Sequence, residues 1–324
     1  MISVFIPTYN GARYVGQTID SLQAQSYEDF EVVCVDDGST DDTWQILTER
    51  QREDSRIRIV RKCHEGDVPH AWQHALPMLH GSHTLYMSQD DMLEADTLQR
   101  LVDRQKATHA DAVIPTVVFW EEGKPDSEVR VDRGVHGDAS VVLSGLEALT
   151  LMMDYTIPGF ALWNTELIRS VGMRTEAYNS DEVAQREWVA RCRTVAFSEG
   201  LFRYRRDNAG SLTRTFSSRL FARPLSNGRL LELAQQHRID EALVRRHRDA
   251  AFAELWWCAM YACGHRREYS RQQRKLFRVQ FSKAYRLLHR GAASPGRTQR
   301  LAARNELLFW TLIALKIIRN QIHV

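Results

Sequence analysis

Along the first third of the chain, short apolar runs alternate with segments of helical periodicity. Ser3-Val4-Phe5-Ile6-Pro7 reads as a buried strand stopped by proline, and Tyr14 to Gln25 as a helix with Val15, Ile19 and Leu22 on one face. A second run, Phe30-Glu31-Val32-Val33-Cys34-Val35, ends at Asp36-Asp37-Gly38-Ser39, a turn and helix-entry signal, after which Thr43 to Gln51 is predicted helical. Ile57 to Val60 is a third strand, Ala71 to Leu79 a helix, and Thr84 to Met87 a fourth strand running into Ser88-Gln89-Asp90-Asp91. This rhythm predicts an α/β fold, a mostly parallel sheet covered by helices on both faces. Ligands of such sheets sit at the carboxyl ends of the strands. Pro7-Thr8-Tyr9-Asn10, Asp36-Asp37 and Asp90-Asp91 all fall at such ends, so three polar clusters should converge on one edge.

Further on, Val113 to Pro115 and Thr116 to Trp120 read as strands, with Glu121-Glu122-Gly123-Lys124 as a hairpin turn. Leu146 to Asp154 and Glu166 to Val171 are predicted helices around an Ile157 to Phe160 loop. An acidic-headed helix follows over Asp181 to Thr194, then strand-like sequence from Val195 to Arg205. Beyond Leu220 the pattern is helical almost throughout, including Asn227 to Gln236, Glu241 to His265, Arg271 to Arg290 and a last helix from Glu306 to Ile318. A division at about residue 217 is expected, with an α/β domain before it and a helical extension over 218–324.

Charge sharpens that division. The net charge is only +2, but residues 218–324 hold 21 Lys+Arg against 7 Asp+Glu, leaving 22 against 34 for residues 1–217. A basic part suits an anionic surface and an acidic part suits cations, although two solvated faces would look the same. No zinc-finger spacing or RRM-type aromatic signature accompanies the basic residues, so nucleic acid is not an expected partner. The 5 cysteines form an odd set without a C-x-x-C pair, which fits a reducing cytosol better than a disulfide framework. No secretory signal is read at the start, and no run reaches the roughly 18 apolar residues that span a bilayer.

The pair Asp90-Asp91 can bind a hard divalent cation that takes its other ligands from substrate phosphates. Equally, it can cap a helix beginning near Glu94. The run Asp36 to Thr43 holds more acids than one cap requires, and a carboxylate there can accept from a nucleobase or a ribose hydroxyl, or simply make a turn. G-x-G-x-x-G and the Walker A pattern are absent. Four histidines, His64, His70, His74 and His80, are scattered in one segment without metal-ligand spacing, and Phe252, Trp256 and Trp257 are expected to pack a helical core.

Taken in order and spacing, Val4-Phe5-Ile6-Pro7-Thr8-Tyr9-Asn10, Leu22-Gln23-Ala24-Gln25-Ser26-Tyr27 with Phe30-Glu31-Val32, Val35 to Thr43, and Ser88-Gln89-Asp90-Asp91 resemble family 2 glycosyltransferases of the GT-A fold. The match is dense over roughly residues 1–100 and weaker to Thr213.

The resemblance implies a nucleotide-diphospho-sugar transferase whose donor, a UDP-sugar by preference, meets Pro7, Thr8, Tyr9, Asp37, Gly66, Ser88, Gln89, Asp90 and Arg205. Asp37 would reach the base. Asp90 and Asp91 would hold Mn²⁺ or Mg²⁺, with Ser88 standing where the family has a first acid. Ser180-Asp181-Glu182 is the candidate base motif, in the order Asp-Glu instead of the usual Glu-Asp, so either Asp181 or Glu182 would be catalytic. Tyr204-Arg205-Arg206-Asp207-Asn208 with Ser211-Leu212-Thr213 resembles the loop that closes near the donor. An inverting transfer to a saccharide or lipid-linked saccharide in surface polysaccharide synthesis is then expected. The last helix, apolar beside basic residues, suits either the inner membrane surface or packing on its own tail or in a homodimer. Two alternatives stay open: a non-catalytic protein of this fold that binds sugar nucleotide or a partner, and a nucleotidyltransferase, whose glycine-rich phosphate loop is not seen.

Overall fold

The computed structural model describes residues 1–125, 130–174, 180–208, 218–292 and 296–322. By internal contacts the chain divides into two compact units, residues 1–175 with 184–214 and residues 176–183 with 215–324.

The first unit is built on a mixed sheet of ten described strands. Strands β1 (Ile2–Thr8), β2 (Phe30–Asp36), β3 (Ile57–Arg61) and β4 (His83–Tyr86) are parallel and stand in the order β3-β2-β1-β4. Helices α1 (Val15–Gln23), α2 (Thr43–Glu53) and α3 (Val68–Ala75) make the crossovers. Every residue of β2 is buried, as a central parallel strand covered on both faces requires. Val4 and Ile6 of β1 join Val15, Ile19 and Leu22 of α1 on one face. Phe5 points to the other, where it lies 5.4 Å from Trp72, itself 5.6 Å from Trp188.

Past β4 the sheet continues through β9 (Leu162–Asn164), β6 (Ala112–Trp120), β10 (Val195–Arg205) and β5 (Met92–Leu93), with β7 (Arg130–Asp132) paired to β6 and β8 (Val142–Leu143) to β10. Here the expected mostly parallel sheet becomes mixed: β9 is antiparallel to both β4 and β6, and β5 antiparallel to β10. Met92-Leu93 adds a two-residue strand ahead of the helix expected to begin near Glu94, and that helix, α4 (Thr97–Thr108), starts at Thr97. Strands this short show no periodicity of their own; they exist because a longer neighbour offers its unpaired edge. Two further helices, α5 (Gly145–Met153) and α6 (Thr165–Val171), follow, the first opened by a capping box of Ser144 and Glu147. The acidic-headed helix α7 (Ser180–Val189) ends before the predicted Thr194. Ser211, Leu212 and Thr213 lie outside the described residues.

The second unit holds α8 (Arg223–Gln236), α9 (Glu241–Gly264), α10 (Arg271–Leu288), α11 (Arg297–Ala302) and α12 (Glu306–Ile322). Phe309 of α12 lies 5.2 Å from Tyr285 and 5.7 Å from Trp256, so Phe252, Trp256, Phe281 and Phe309 form an aromatic core. Trp257, expected in that core, is instead 49% exposed. Among the described residues no helix is long and apolar enough to cross a membrane.

Candidate active site

Strand order locates the site. β1 sends its crossover to β2 on one side, while β4 arrives on the other, so the chain leaves their carboxyl ends in opposite directions and opens a crevice between them. The loops after β1, β2 and β4 meet there through side chains bonded to backbone. Gln89 bridges two of them: its Oε1 accepts from the Tyr9 N–H at 2.8 Å and its Nε2 donates to the Tyr9 carbonyl at 3.0 Å. That contact leaves no room for a side chain at Gly11, where a Cβ would sit 2.2 Å from Gln89 Oε1. The β1 and β2 loops are joined by the Asn10 N–H on Ser39 Oγ at 2.9 Å, the Thr40 N–H on Asn10 Oδ1 at 2.8 Å and the Gly11 N–H on Thr43 Oγ1 at 2.8 Å. Asn10 adopts a left-handed φ of 46°, which asparagine tolerates better than most residues. The three clusters at the strand ends are therefore one hydrogen-bonded edge.

Asp37 is the buried centre of one half. The Asp37 N–H donates to the Thr8 carbonyl at 2.8 Å, fixing the loop to the end of β1. Its carboxylate accepts from the Glu65 N–H at 2.9 Å, the Gly66 N–H at 2.7 Å and Lys62 Nζ, and His64 Nδ1 lies 3.0 Å from Oδ2. Burial by itself pushes this carboxyl up, but the hydrogen bonds from Lys62, Glu65 and Gly66 outweigh it and hold the group below its ordinary value. Gly66 takes a left-handed φ of 78°, which lets its N–H turn in. Tyr9 is 40% exposed, and its ring stacks on His64 with centroids 4.2 Å apart. Thr8 is buried with Oγ1 3.4 Å from the Val35 carbonyl, and Pro7 is half-buried beside Val35.

Asp90 and Asp91 form the other half, and they differ. Asp91 is 1% exposed, and its oxygens accept from the Ser88 N–H at 3.1 Å and the Arg205 N–H at 3.2 Å, tying the β4 loop to the end of β10. Asp90 is half-buried, with Oδ2 accepting from Asn208 Nδ2 at 2.7 Å. Burial, then the neighbouring Asp90 charge, pushes the Asp91 carboxyl well above the ordinary range; burial likewise raises Asp90. Ser88 and Gln89 are half-buried beside them.

Arg205 is placed otherwise than the resemblance implied. Its side chain is buried, stacked 4.6 Å from the Tyr14 ring and 4.1 Å from the Trp120 ring. Nε donates to the Asp90 carbonyl at 3.2 Å and Nη2 to Gln17 Oε1 at 2.6 Å, while Nη1 lies 3.4 Å from both Glu122 and Asp207. Contact with a diphosphate would require it to release some of these partners. Asp181 and Glu182 stand in the first turn of α7, in the segment that clusters with the second unit.

Among the described residues no group of three or more His, Cys, Asp or Glu is assembled that could hold a metal ion. The donor set fits a cation held by few protein atoms: Asp90 offers a half-buried carboxylate in a neighbourhood where negative charge is costly. Mg²⁺ and similar ions are commonly bound by one or two carboxylates, with substrate phosphates and water completing the shell. Asp91 suits a supporting position, since both of its oxygens already accept backbone N–H bonds.

Lys62 and Gln17 carry no mark of their own in the sequence, and His64 and Trp120 are legible there only as a scattered histidine and a strand end. The signal available for Lys62 was its position just after the strand-like run Ile57 to Val60, at the same kind of strand end as Asp36-Asp37.

Residues 3–144 match the model of "Glycosyl transferase family 2". Glycosyltransferase GlyG of Streptococcus pneumoniae is 25% identical over 222 residues, 66% of this chain and 73% of that protein. Further relatives are named for teichuronic acid biosynthesis and for poly(ribitol-phosphate) glucosylation. In fold, the chain is similar to S. aureus TarS residues 1–349 in complex with UDP-GlcNAc, with a TM-score of 0.67 at 16% identity over 96% of this chain and 88% of that one. It is also similar to the mannosyltransferase PcManGT of Pyrobaculum calidifontis in complex with GDP-Man and Mn²⁺, with a TM-score of 0.54 at 16% identity over 98% and 86%. The fold, the strand-end clusters and the matched region agree: the chain has the GT-A fold, and its residues 3–144 match the family 2 glycosyltransferase model.

Proposed function

We propose that this protein is an inverting, metal-assisted glycosyltransferase that moves a sugar from a nucleoside diphosphate, UDP by preference, to a hydroxyl of a saccharide or lipid-linked saccharide in surface polysaccharide synthesis. The observation that carries this reading is the single hydrogen-bonded edge on which Tyr9, Asp37, Gln89 and Asp90 meet. Tyr9 and Asp37 take the nucleoside. Gln89, packed against Gly11, holds Tyr9 in place. Asp90 is the residue to hold Mn²⁺ or Mg²⁺, which would supply positive charge to the diphosphate as it leaves. Arg205 braces the Asp90 carbonyl through Nε and the Asp91 carboxylate through its backbone N–H.

In the transfer, the acceptor oxygen forms a bond to the anomeric carbon on the face opposite the diphosphate. The anomeric carbon–oxygen bond to the diphosphate breaks, and the acceptor proton passes to Asp181 or Glu182. A base is needed because a hydroxyl is a weak nucleophile until its proton is removed. On α12, Leu307, Leu315 and Ile318 are exposed at helical spacing within a strongly basic region, which supports attachment to an anionic membrane surface.

One observation favours a non-catalytic alternative: Asp91, expected to ligate the cation, is committed to backbone N–H groups. Hydrolysis of a panel of UDP-, GDP- and dTDP-sugars with and without Mn²⁺ separates the two. Cation-dependent release of nucleoside diphosphate that disappears in Asp90→Asn upholds the enzyme, whereas sugar-nucleotide binding with no turnover upholds the alternative.

A further inference from the structure

His64 makes two contacts that a nucleobase in this pocket would make. Its ring lies nearly flat on Tyr9, 4.2 Å between centroids and 23° between planes. Its Nδ1 lies 3.0 Å from Asp37 Oδ2 and 3.1 Å from the Asp37 carbonyl. A base that stacks on an aromatic shelf while offering a ring N–H to a carboxylate needs that ring face and that side of Asp37. The other bonds to Asp37 come from Lys62 and from the backbone of Glu65 and Gly66, and none of those groups covers Tyr9. His64 is 39% exposed on its side chain, so it can swing into solvent without opening the core.

Resting on the reading that Tyr9 and Asp37 form the nucleoside pocket, we infer that His64 is an internal stand-in for the nucleobase, which an incoming base displaces from Tyr9 and from Asp37. Nucleotide binding therefore carries the cost of undoing one aromatic stack and one hydrogen bond within the protein. The same geometry selects a base that presents an N–H on the edge facing Asp37, since Asp37 offers only acceptors; the ring N–H of uracil is one such donor.

The experiment is calorimetric titration of UDP, with Mn²⁺ at fixed concentration, into the full chain and its His64→Ala and Tyr9→Ala variants, each checked for an unchanged melting profile. An aromatic pair is worth about 0.5–1.5 kcal/mol, so removing the stand-in should tighten UDP binding by about 2- to 10-fold. His64→Phe, which keeps the stack and loses the bond to Asp37, should tighten it less than His64→Ala. Tyr9→Ala should weaken binding in every background. If Tyr9→Ala weakens binding but His64→Ala leaves it unchanged or weaker, His64 is not displaced and the inference is overturned while the pocket stands. If Tyr9→Ala leaves UDP binding intact, the nucleoside pocket itself is misplaced and the inference falls with it.

Discussion

Replacing Lys62 by methionine keeps most of the side-chain volume and removes the cation between Asp37 and Glu65. The side chains of Lys62 and Asp37 are 3% and 8% exposed, so water cannot take the place of the ammonium. A hydrogen bond to a charged group contributes roughly 1.5–3 kcal/mol. Stranding a buried charge completely costs about 3–5 kcal/mol, but here the Glu65 and Gly66 N–H groups still hold Asp37 at 2.9 and 2.7 Å. The expected loss is therefore near the lower range, about 2 kcal/mol, which for a unit of this size lowers the melting temperature by about 4–8 °C.

The pH dependence follows from the sign of the Asp37 shift. Its folded-state value lies below the ordinary 3.8, so the stability it contributes is present above that value and is lost as pH falls through the folded one. Lys62 is shifted up from 10.5, so its contribution is lost only as pH rises beyond that value. In urea-induced unfolding the gap between the wild-type protein and Lys62→Met should be full near pH 7 and shrink below about pH 4. A gap under about 0.5 kcal/mol at neutral pH, or one of equal size in acid, would refute the account of this cluster.

Gly11→Ala drives Gln89 off the Tyr9 backbone and should cost about 1–2 kcal/mol with weaker UDP binding, read by melting and calorimetry. Asp90→Asn should leave the fold intact and reduce cation-dependent donor hydrolysis by about 100-fold or more; unchanged turnover would remove Asp90 from the site. Of Asp181→Asn and Glu182→Gln, one should lower transfer by roughly 100- to 10,000-fold with donor affinity unchanged, and equal mild effects would place the base elsewhere. Leu315→Glu should release the protein from vesicles rich in anionic lipid in a sedimentation assay; retention would show that α12 is not the attachment surface.

Much of this was readable in the chain before folding. β1, β2 and β4 are apolar runs followed by Tyr9-Asn10, Asp37 and Ser88-Gln89-Asp90-Asp91, β1 passing through Pro7 to Thr8 instead of stopping at the proline, and burial of both faces leaves such runs few other arrangements. The periodicity of α1 and the cap of α5 by Ser144 and Glu147 are likewise local facts. Since a parallel sheet puts strand ends on one edge, the convergence of three polar clusters followed from order alone.

What surrounds each acid depends mostly on partners distant in sequence. Asp91 looks like Asp90 in the chain, but one is sealed under the Ser88 and Arg205 N–H groups and the other faces Asn208, 118 positions away. Arg205 carries a full charge at the end of a strand and nevertheless lies buried between Tyr14 and Trp120, because Gln17, Glu122 and Asp207 supply acceptors that only folding brings together. Trp257 left the helical core and His64 came to rest on Tyr9 for the same reason. Periodicity and turn chemistry act within a few residues and so can be read directly, whereas the burial and pairing that set a side chain's protonation and reach depend on contacts that do not exist until the sheet has closed.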